Sequence, residues 1–172
     1  MIRGTFSWTR VLVLCGAAVA LLVAATLVVG APTAAAGKGA SASCTVYEIK
    51  ASNGPKAMDA ALKPLQSKLS RGAFRQWSKF EKLAIHRKVF QRMKSVRVAL
   101  VPGSMSGLLR GITQFKGKKD RLTMSLQLDD KSGTRLQDNT TKFDSGDSIL
   151  IVDGGLKVSG GSYIFALQCT SK

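Results

Sequence analysis

Residues 121–128 read Arg-Leu-Thr-Met-Ser-Leu-Gln-Leu, and every second side chain is apolar. Strict alternation of this kind predicts a β-strand with one buried and one solvated face. The polar stretch at residues 129–133 predicts a turn into another strand over residues 134–143. Further strands are predicted at residues 96–100, 148–152 and 163–169. Short strands separated by polar turns are typical of an antiparallel sheet or sandwich.

The first half of the chain combines one strand with a short helical segment. Residues 46–51 alternate and end in a Ser-Asn-Gly-Pro turn signal. Asp59 suits the N-cap of a helix with an apolar stripe of Leu62, Leu65 and Leu69. Because Pro64 lies about one turn in, the helix should be short, with a tight or 3₁₀ first turn. The predicted fold class is α+β and β-rich: an antiparallel sheet or sandwich with one or two helices inserted after the first strand.

Residues 74–90 leave helix and strand open. Phe74, Trp77 and Phe80 recur at a spacing of three, which favours a helix, whereas Leu83 and Ile85 continue as a strand. A helix here would bury its aromatic stripe and expose the surrounding Lys and Arg side chains. The stripe would pack either on the protein's own sheet or at a membrane interface. Packing on the sheet is favoured because the sheet needs a cover, and a membrane-binding version predicts an exposed Trp77.

The chain begins with a pattern typical of an export signal. Arg3 and Arg10 precede an uncharged run over residues 11–29, and an Ala-Ala-Ala stretch ends at Ala36. Residues 1–36 are therefore predicted to be a signal peptide, cleaved after Ala36 or Ala42. The uncharged run of 19 residues is close to the roughly 20 that span a bilayer. An uncleaved membrane anchor through residues 11–29 is the alternative.

The rest of the chain is predicted to be a small-residue linker at residues 37–43 and a single β-rich domain at residues 44–172. Cys44 and Cys169 lie at the two ends of that domain, each in a predicted strand. In an exported protein, periplasmic or extracellular, two such cysteines predict a disulfide. With no histidine beside either, they form a poor zinc or redox site.

Positive charge is concentrated in one segment. The formal net charge is +16, and residues 50–97 contain 13 basic residues against Asp59 and Glu81. Such a surface attracts polyanions, so an anionic membrane surface or an acidic polysaccharide is the expected partner, and nucleic acid is not expected for an exported protein. A solvated face that only keeps the protein soluble is the alternative. The candidate polyanion-binding residues are Lys68, Arg71, Arg75, Lys79, Lys82, Arg87, Lys88 and Arg92.

No residue pattern indicates catalysis. His86 is the only histidine, lies among cations and is expected at the surface. Residues 103–107 come nearest to a hydrolase nucleophile elbow, but they lack its Gly-x-Ser-x-Gly sequence and are predicted to be a turn. The aspartates fall mostly in predicted turns, where they bond to the backbone. We therefore expect no catalytic residue, metal, cofactor or small-molecule substrate.

Several short stretches resemble an uncharacterised family of exported bacterial proteins. These are Ile-Lys-Ala-Ser-Asn at residues 49–53, Asp59 with the leucine stripe, Ser-Ile-Leu-Ile at residues 148–151, and Gly-Gly-Ser-Tyr-Ile-Phe-Ala at residues 160–166. The resemblance covers most of the chain after the leader. It implies a bacterial envelope setting and a compact domain, and it supplies no activity.

These features together predict a non-catalytic interaction module of the cell envelope whose basic segment meets an acidic partner. The alternative is a structural accessory subunit of an envelope or secretion assembly, with a protein partner bound at a sheet edge. Binding that falls steeply with salt would favour the first, and salt-insensitive association with an envelope complex would favour the second.

Overall fold

The structure is a computed structural model that describes residues 40–172. The predicted signal peptide, the predicted anchor and the first three residues of the predicted linker lie outside the described residues. Within residues 40–172, no helix is long and apolar enough to cross a membrane.

Nine strands and a short helical segment make up the described chain. The segment consists of a 3₁₀ helix at Ala60–Leu65, the single α-helical turn α1 at Gln66–Leu69 and a second 3₁₀ helix at Gly72–Gln76. The strands are β1 (Ser41–Ser52), β2 (Ala57–Met58), β3 (Lys79–Gln91), β4 (Ser95–Leu100), β5 (Gly103–Thr113), β6 (Arg121–Asp130), β7 (Arg135–Asp144), β8 (Ser148–Val158) and β9 (Gly161–Ser171). Because β1 begins at Ser41, residues 41–43 of the predicted linker belong to this strand.

The strands form two sheets. The first sheet has the order β2-β3-β1-β9-β8 and the second the order β4-β5-β6-β7. All neighbouring strands are antiparallel except the short pair β2–β3. The arrangement confirms the predicted fold class, a β-rich sandwich with a helical insertion after the first strand.

A first core fills the space between the two sheets. Alternate residues of β1 (Ala42, Cys44 and Val46) enter it with side chains from β3 and β9 and from all four strands of the second sheet. Cys44 and Cys169 face each other directly in the β1–β9 pair and form the predicted disulfide, with their Cα atoms 4.0 Å apart. In the chain-entropy account, a link across this long loop stabilises the fold by up to roughly 5 kcal/mol.

A second core covers the other face of the first sheet. Leu62, Leu65 and Leu69 of the helical segment are fully buried there against β1, β3 and β9. Asp59 caps the segment as predicted, because its carboxylate accepts a hydrogen bond of 2.9 Å from the Ala61 amide. Pro64 lies in the 3₁₀ part, as its position required.

The open question over residues 74–90 is resolved as a strand from Lys79 onward. Phe80 and Phe90 lie on the two opposite faces of β3, one in each core. They therefore cannot share a helical stripe, and the interpretation of residues 74–90 as one amphipathic helix is wrong. Only Phe74 lies in a helix, and it packs with Trp77 against the second core.

Glycines caused two further errors of interpretation. Residues 103–107, predicted to be a turn, begin β5, and the strand predicted at residues 148–152 continues through Gly154 and Gly155 as β8. A Cβ at Gly103 would lie 2.1 Å from the Asp129 carbonyl oxygen, and one at Gly107 would lie 2.6 Å from the Phe90 ring. These glycines allow close approach within a strand and do not mark turns.

The hairpin connections define two ends of the sandwich. One end, called the Ala40 end below, contains Ala40, the β3–β4 turn, the β5–β6 loop, the β7–β8 turn and the C-terminus. At this end the Arg92 amide donates to the Ala40 carbonyl (3.0 Å) and the Ser145 amide to the Asp120 carbonyl (2.7 Å). The opposite end contains the β4–β5, β6–β7 and β8–β9 turns.

The glycine contacts give a prediction about stability. Gly107→Ala should destabilise the fold by about 1–3 kcal/mol, because the new methyl group displaces the buried Phe90 ring. Gly111→Ala on the same strand meets nothing within 4 Å and should be neutral or slightly stabilising. Urea unfolding of both variants measures the difference. Equal stability of the two would contradict the close packing of β3 on β5.

Candidate functional site

The eight predicted polyanion-binding residues lie on two parts of the fold. Lys68, Arg71 and Arg75 belong to the helical segment, which covers the outer face of the first sheet. Lys79, Lys82, Arg87 and Lys88 lie on β3, and Arg92 follows it directly. The fold thus distributes the eight residues along a surface and does not gather them around one pocket.

Two of the eight contact acids of the protein itself. Lys68 pairs with Asp147 at 2.6 Å, and its ammonium also donates to the Ser148 carbonyl. Lys79 pairs with Glu81 at 2.6 Å. The hydrogen bond from each lysine lowers the pKa of its carboxyl partner below the ordinary value. Their charge is therefore partly compensated within the fold.

The cations of β3 join Arg97 of β4 along one side of the sandwich, and the turn between the two strands adds Arg92 and Lys94. β3 pairs with β1 over its whole length but with β2 only at Lys79 and Phe80, and β4 pairs only with β5. The two strands are thus neighbouring edges of the two sheets, and they contact each other. We call this surface the basic edge. Its exposed cations are Lys82, Arg87, Lys88, Arg92, Lys94 and Arg97.

No carboxylate interrupts the basic edge in sequence. From Lys82 to Lys119 the chain contains ten basic residues and not one Asp or Glu. Arg87 lies opposite Thr45 of β1, and Lys88 lies opposite Cys44, so adjacent cations of β3 point to the two faces of the sheet. Positive charge therefore surrounds this strand on both faces.

A second group of cations lies in the β5–β6 loop, which the sequence analysis missed. Lys118, Lys119 and Arg121 line an open cleft of about 680 Å³ together with Phe115, Gly117 and Asp144. The Arg121 guanidinium lies over the Phe115 ring at 5.5 Å and pairs with Asp144 at 3.1 Å. The run Lys-Gly-Lys-Lys at residues 116–119 was the available signal. The run does not stand out in the charge of the second half, because ten basic residues there face seven acidic ones from residue 98 onward.

A second cleft, of about 570 Å³, separates the helical segment from the start of β3. Met58, Leu69, Trp77 and Phe80 supply its apolar lining, with Lys56 and Arg75 also present. Trp77 is half-buried and packs against the second core. A membrane-binding helix had predicted an exposed Trp77, which the structure does not show.

Glu48 forms a buried polar network that the sequence analysis also missed. Its carboxylate is 1% exposed and accepts hydrogen bonds from the Tyr163 hydroxyl (2.9 Å) and the Val101 amide (2.6 Å). Its other oxygen lies 2.7 Å from His86 Nε2. His86, expected at the surface, is only partly exposed and serves as a partner of this carboxylate. The network joins β1, β3, β9 and the β4–β5 turn.

The surroundings of Tyr163 keep its hydroxyl protonated. Burial raises the pKa of Tyr163, and the negative charge of Glu48 raises it further. The hydroxyl therefore remains a donor to Glu48 throughout the physiological range. No buried side-chain N or O atom lacks a partner within the described chain. The arrangement is that of a satisfied structural network.

The Asp, Glu, His and Cys side chains of residues 40–172 do not gather into a metal site. No group of three or more His, Cys, Asp or Glu side chains there is placed to hold a metal ion.

Comparison with protein-family models, curated proteins and solved structures finds no match to this chain. The resemblance to exported bacterial proteins therefore stays a prediction.

The Glu48 network gives a second stability prediction. Glu48→Ala should cost about 3–5 kcal/mol, because it leaves His86, Tyr163 and the Val101 amide without their shared acceptor. Glu48→Gln retains a carbonyl acceptor and should cost less. Glu81→Gln, at an exposed ion pair, is the control and should change stability little. Thermal unfolding orders the three variants, and a neutral Glu48→Ala would contradict the network.

Tyr163 predicts a pH dependence. Its pKa is raised in the folded state, so the folded protein holds the proton more tightly than the unfolded chain. The resulting stabilisation is complete below the unfolded pKa of about 10 and is lost as the pH rises above it, by about 1.4 kcal/mol per pH unit. Tyr163→Phe should lack this component. Denaturant unfolding between pH 9 and pH 11 measures it, and parallel stability curves for the two proteins would contradict it.

Proposed function

We propose that the protein is an exported, non-catalytic interaction module of the bacterial envelope that binds a polyanionic partner through the basic edge. The observation that carries this proposal is the set of six exposed cations on two neighbouring edge strands and the turn between them, in a stretch of chain without a carboxylate. Like charges close together repel one another, and this fold supplies no carboxylate from β4 or from β3 beyond Glu81 to offset them. A polyanionic partner supplies the missing charge.

Protection of the sheet edge accounts for only part of this charge. A lysine on an edge strand discourages pairing with another chain. One or two cations serve that purpose, whereas the basic edge carries six. From Lys82 to Arg92 the cations extend over roughly 33 Å at 3.3 Å per residue. A stripe of this length suits a surface or polymer with repeated anionic groups, such as anionic lipid or acidic polysaccharide, better than a single small anion.

The disulfide supports export. Bonds such as Cys44–Cys169 persist in oxidising compartments and are rare in the cytosol. The predicted signal at residues 1–36 agrees with this, and the anchor alternative places the domain in the same envelope setting. Ala42 is fully buried within β1, so cleavage after Ala36 preserves the strand better than cleavage after Ala42.

The placement of the acidic residues supports a function without catalysis. Each carboxylate takes part in a hydrogen bond or ion pair within the fold. The ten are Glu48, Asp59, Glu81, Asp120, Asp129, Asp130, Asp138, Asp144, Asp147 and Asp153. These contacts cap a helix, close turns and fix strands. General acid–base chemistry needs a carboxylate or histidine directed at a substrate, and these groups are directed at the protein.

The open edge of β3 favours a second candidate function, that of an accessory subunit in an envelope or secretion assembly. Beyond Phe80 the outer edge of β3 is not covered by a ladder within the described chain, apart from one bridge between Arg92 and Leu109. A partner strand could extend the sheet there through backbone hydrogen bonds. Such a complex would be held mainly by contacts that salt does not screen, so co-purification at high salt would favour it.

Charge-removal variants test the proposed function. Lys88→Gln, Arg92→Gln and Lys94→Gln together should weaken binding to vesicles containing phosphatidylglycerol by roughly 100-fold at low salt, since each surface cation contributes about 1 kcal/mol. The matched control, Lys63→Gln, Lys131→Gln and Lys157→Gln, removes the same charge from exposed positions elsewhere and should change binding little. Sedimentation with vesicles and titration with alginate cover the two polyanion classes.

The unmodified protein should lose most of its binding as salt rises, because the contacts are exposed. Equal losses in the edge variant and the control would show that only the net charge matters and would contradict a localised site. If the unmodified protein binds neither vesicles nor alginate at low salt, the polyanion proposal is wrong.

A further inference from the structure

The turn between β3 and β4 carries an inference that rests on the proposed function and names its partner. We propose that the Ala40 end of the sandwich docks onto an anionic phospholipid bilayer. Met93 enters the boundary between headgroups and acyl chains, and Arg92 and Lys94 contact the lipid phosphates. The domain therefore stands on the bilayer by this end and does not lie flat along its basic edge.

Backbone hydrogen bonds hold the turn in place. The amides of Arg92, Met93 and Lys94 donate to the carbonyls of Ala40 (3.0 Å), Leu109 (2.9 Å) and Gln91 (3.1 Å). Met93 has a φ of 59°, in the left-handed region that glycine or asparagine ordinarily occupies. A long apolar side chain at such a position helps neither the turn nor the two cores. The methionine is better explained by a contact outside the domain.

Met93 differs from the other exposed apolar side chains. It is 64% exposed, against 49% for Val89, 47% for Val101 and 42% for Val152. Among these four, Met93 alone has a cation on each side of it in sequence. An apolar residue between cations is the pattern that binds the interface of an anionic membrane, where burial and charge attraction act together. An acidic polysaccharide would attract the two cations but would offer the methionine no apolar contact.

The Ala40 end also carries the cations of the β5–β6 loop. Lys116, Lys118 and Lys119 are exposed in this loop. The loop follows β5 on the far side of Leu109, whose carbonyl accepts from the Met93 amide. Three acids share this end, and each has a partner: Asp120 accepts from Ser171, Asp144 pairs with Arg121, and Asp147 pairs with Lys68. Positive charge is therefore in excess on this end.

The opposite end is balanced in charge and does not suit an anionic surface. Around its turns, the cations Lys131, Arg135 and Lys157 are matched by Asp129, Asp130, Asp138 and Asp153, and Arg135 pairs with both Asp129 and Asp138. Lys50 and Lys79, also at this end, both pair with Glu81. Val101, the exposed apolar residue of the β4–β5 turn, has Leu100 and Pro102 beside it in sequence and no cation. From Met93 to Val101 the chain extends roughly 25 Å along β4. The two residues thus report separately on the two ends.

The start of the described chain agrees with this orientation. Ala40, the first described residue, lies beside Arg92 at the end that we assign to the membrane. If residues 11–29 remain as an anchor, the anchor and the docking end act on the same membrane. If they are removed, the docking end itself supplies the membrane contact.

Single-tryptophan variants test the proposal. The complete chain, with Trp8→Phe and Trp77→Phe, receives one of Met93→Trp, Gln114→Trp, Val101→Trp or Val152→Trp. Each is purified from the envelope as the host processes it and mixed with, or reconstituted into, vesicles of brominated phosphatidylglycerol and phosphatidylcholine. Bromine quenches only tryptophans that reach the acyl region. We expect strong quenching for Met93→Trp and detectable quenching for Gln114→Trp in the β5–β6 loop, with little for Val101→Trp or Val152→Trp.

Raising the salt or omitting the anionic lipid should abolish the quenching of a processed chain and weaken that of an anchored one. Equal quenching of Met93→Trp and Val101→Trp would mean that the basic edge lies flat, and it would overturn the inference. The inference would also be overturned if the protein bound the vesicles and none of the four tryptophans was quenched. The proposed function would survive that result. Absence of binding to anionic vesicles, with binding to alginate retained, would also overturn the inference alone. In this tryptophan test, the proposed function fails if neither probe is bound. Because Gln114→Trp reports on the same end, the test does not depend on whether Trp is tolerated at position 93.

Discussion

The first sheet has to bury both of its faces, and the rest of the structure depends on this constraint. Its central strand, β1, sends Ala42, Cys44 and Val46 to the core between the sheets and Tyr47, Ile49 and Ala51 to the core beneath the helical segment. One strand therefore requires two covers, which are the second sheet and the helical segment. The disulfide at Cys44 fixes β1 to β9 within this arrangement. Without either cover, a row of apolar side chains would be exposed to water.

The same topology explains where the positive charge lies. Because β1 occupies the centre of the first sheet, with β9 on one side, β3 is displaced to the other side, where only the two-residue β2 follows it. The chain then passes directly into β4, an edge of the second sheet. Cations that are consecutive in sequence therefore collect along one side of the sandwich, and the adjoining turn brings Arg92, Met93 and Lys94 to its end. Neither core uses these side chains, so their placement is free to serve a partner.

Local signals predicted much of this fold, and the errors arose where the reason for a residue lies in a distant part of the chain. Alternation identified β6, and Asp59 with Pro64 identified a short capped segment. Gly107, in contrast, lies within a strand, and glycine is needed there because the Phe90 ring occupies the space where a Cβ would lie. Nothing near Gly107 in sequence shows this. Glu48 reads as the polar position of an alternating strand, yet it is buried because His86, Tyr163 and the Val101 amide converge on it from three other elements. The charge of the β5–β6 loop was visible in the sequence, but averaging over a balanced half of the chain concealed it.

Two cross-links hold β1 along its length, and this bears on how the domain can bind. The disulfide joins β1 to β9 toward the Ala40 end, and the Glu48 network joins β1 to β3, β9 and the β4–β5 turn toward the opposite end. The strand that pairs with β3 along its whole length is therefore fixed toward both ends before any partner arrives. Lysine and arginine side chains lose rotamer freedom on binding, but the backbone of the strands that carry them is already ordered and loses little further entropy. A rigid row of cations can engage a repeating anionic surface at many points, while each individual contact stays weak and reversible by salt.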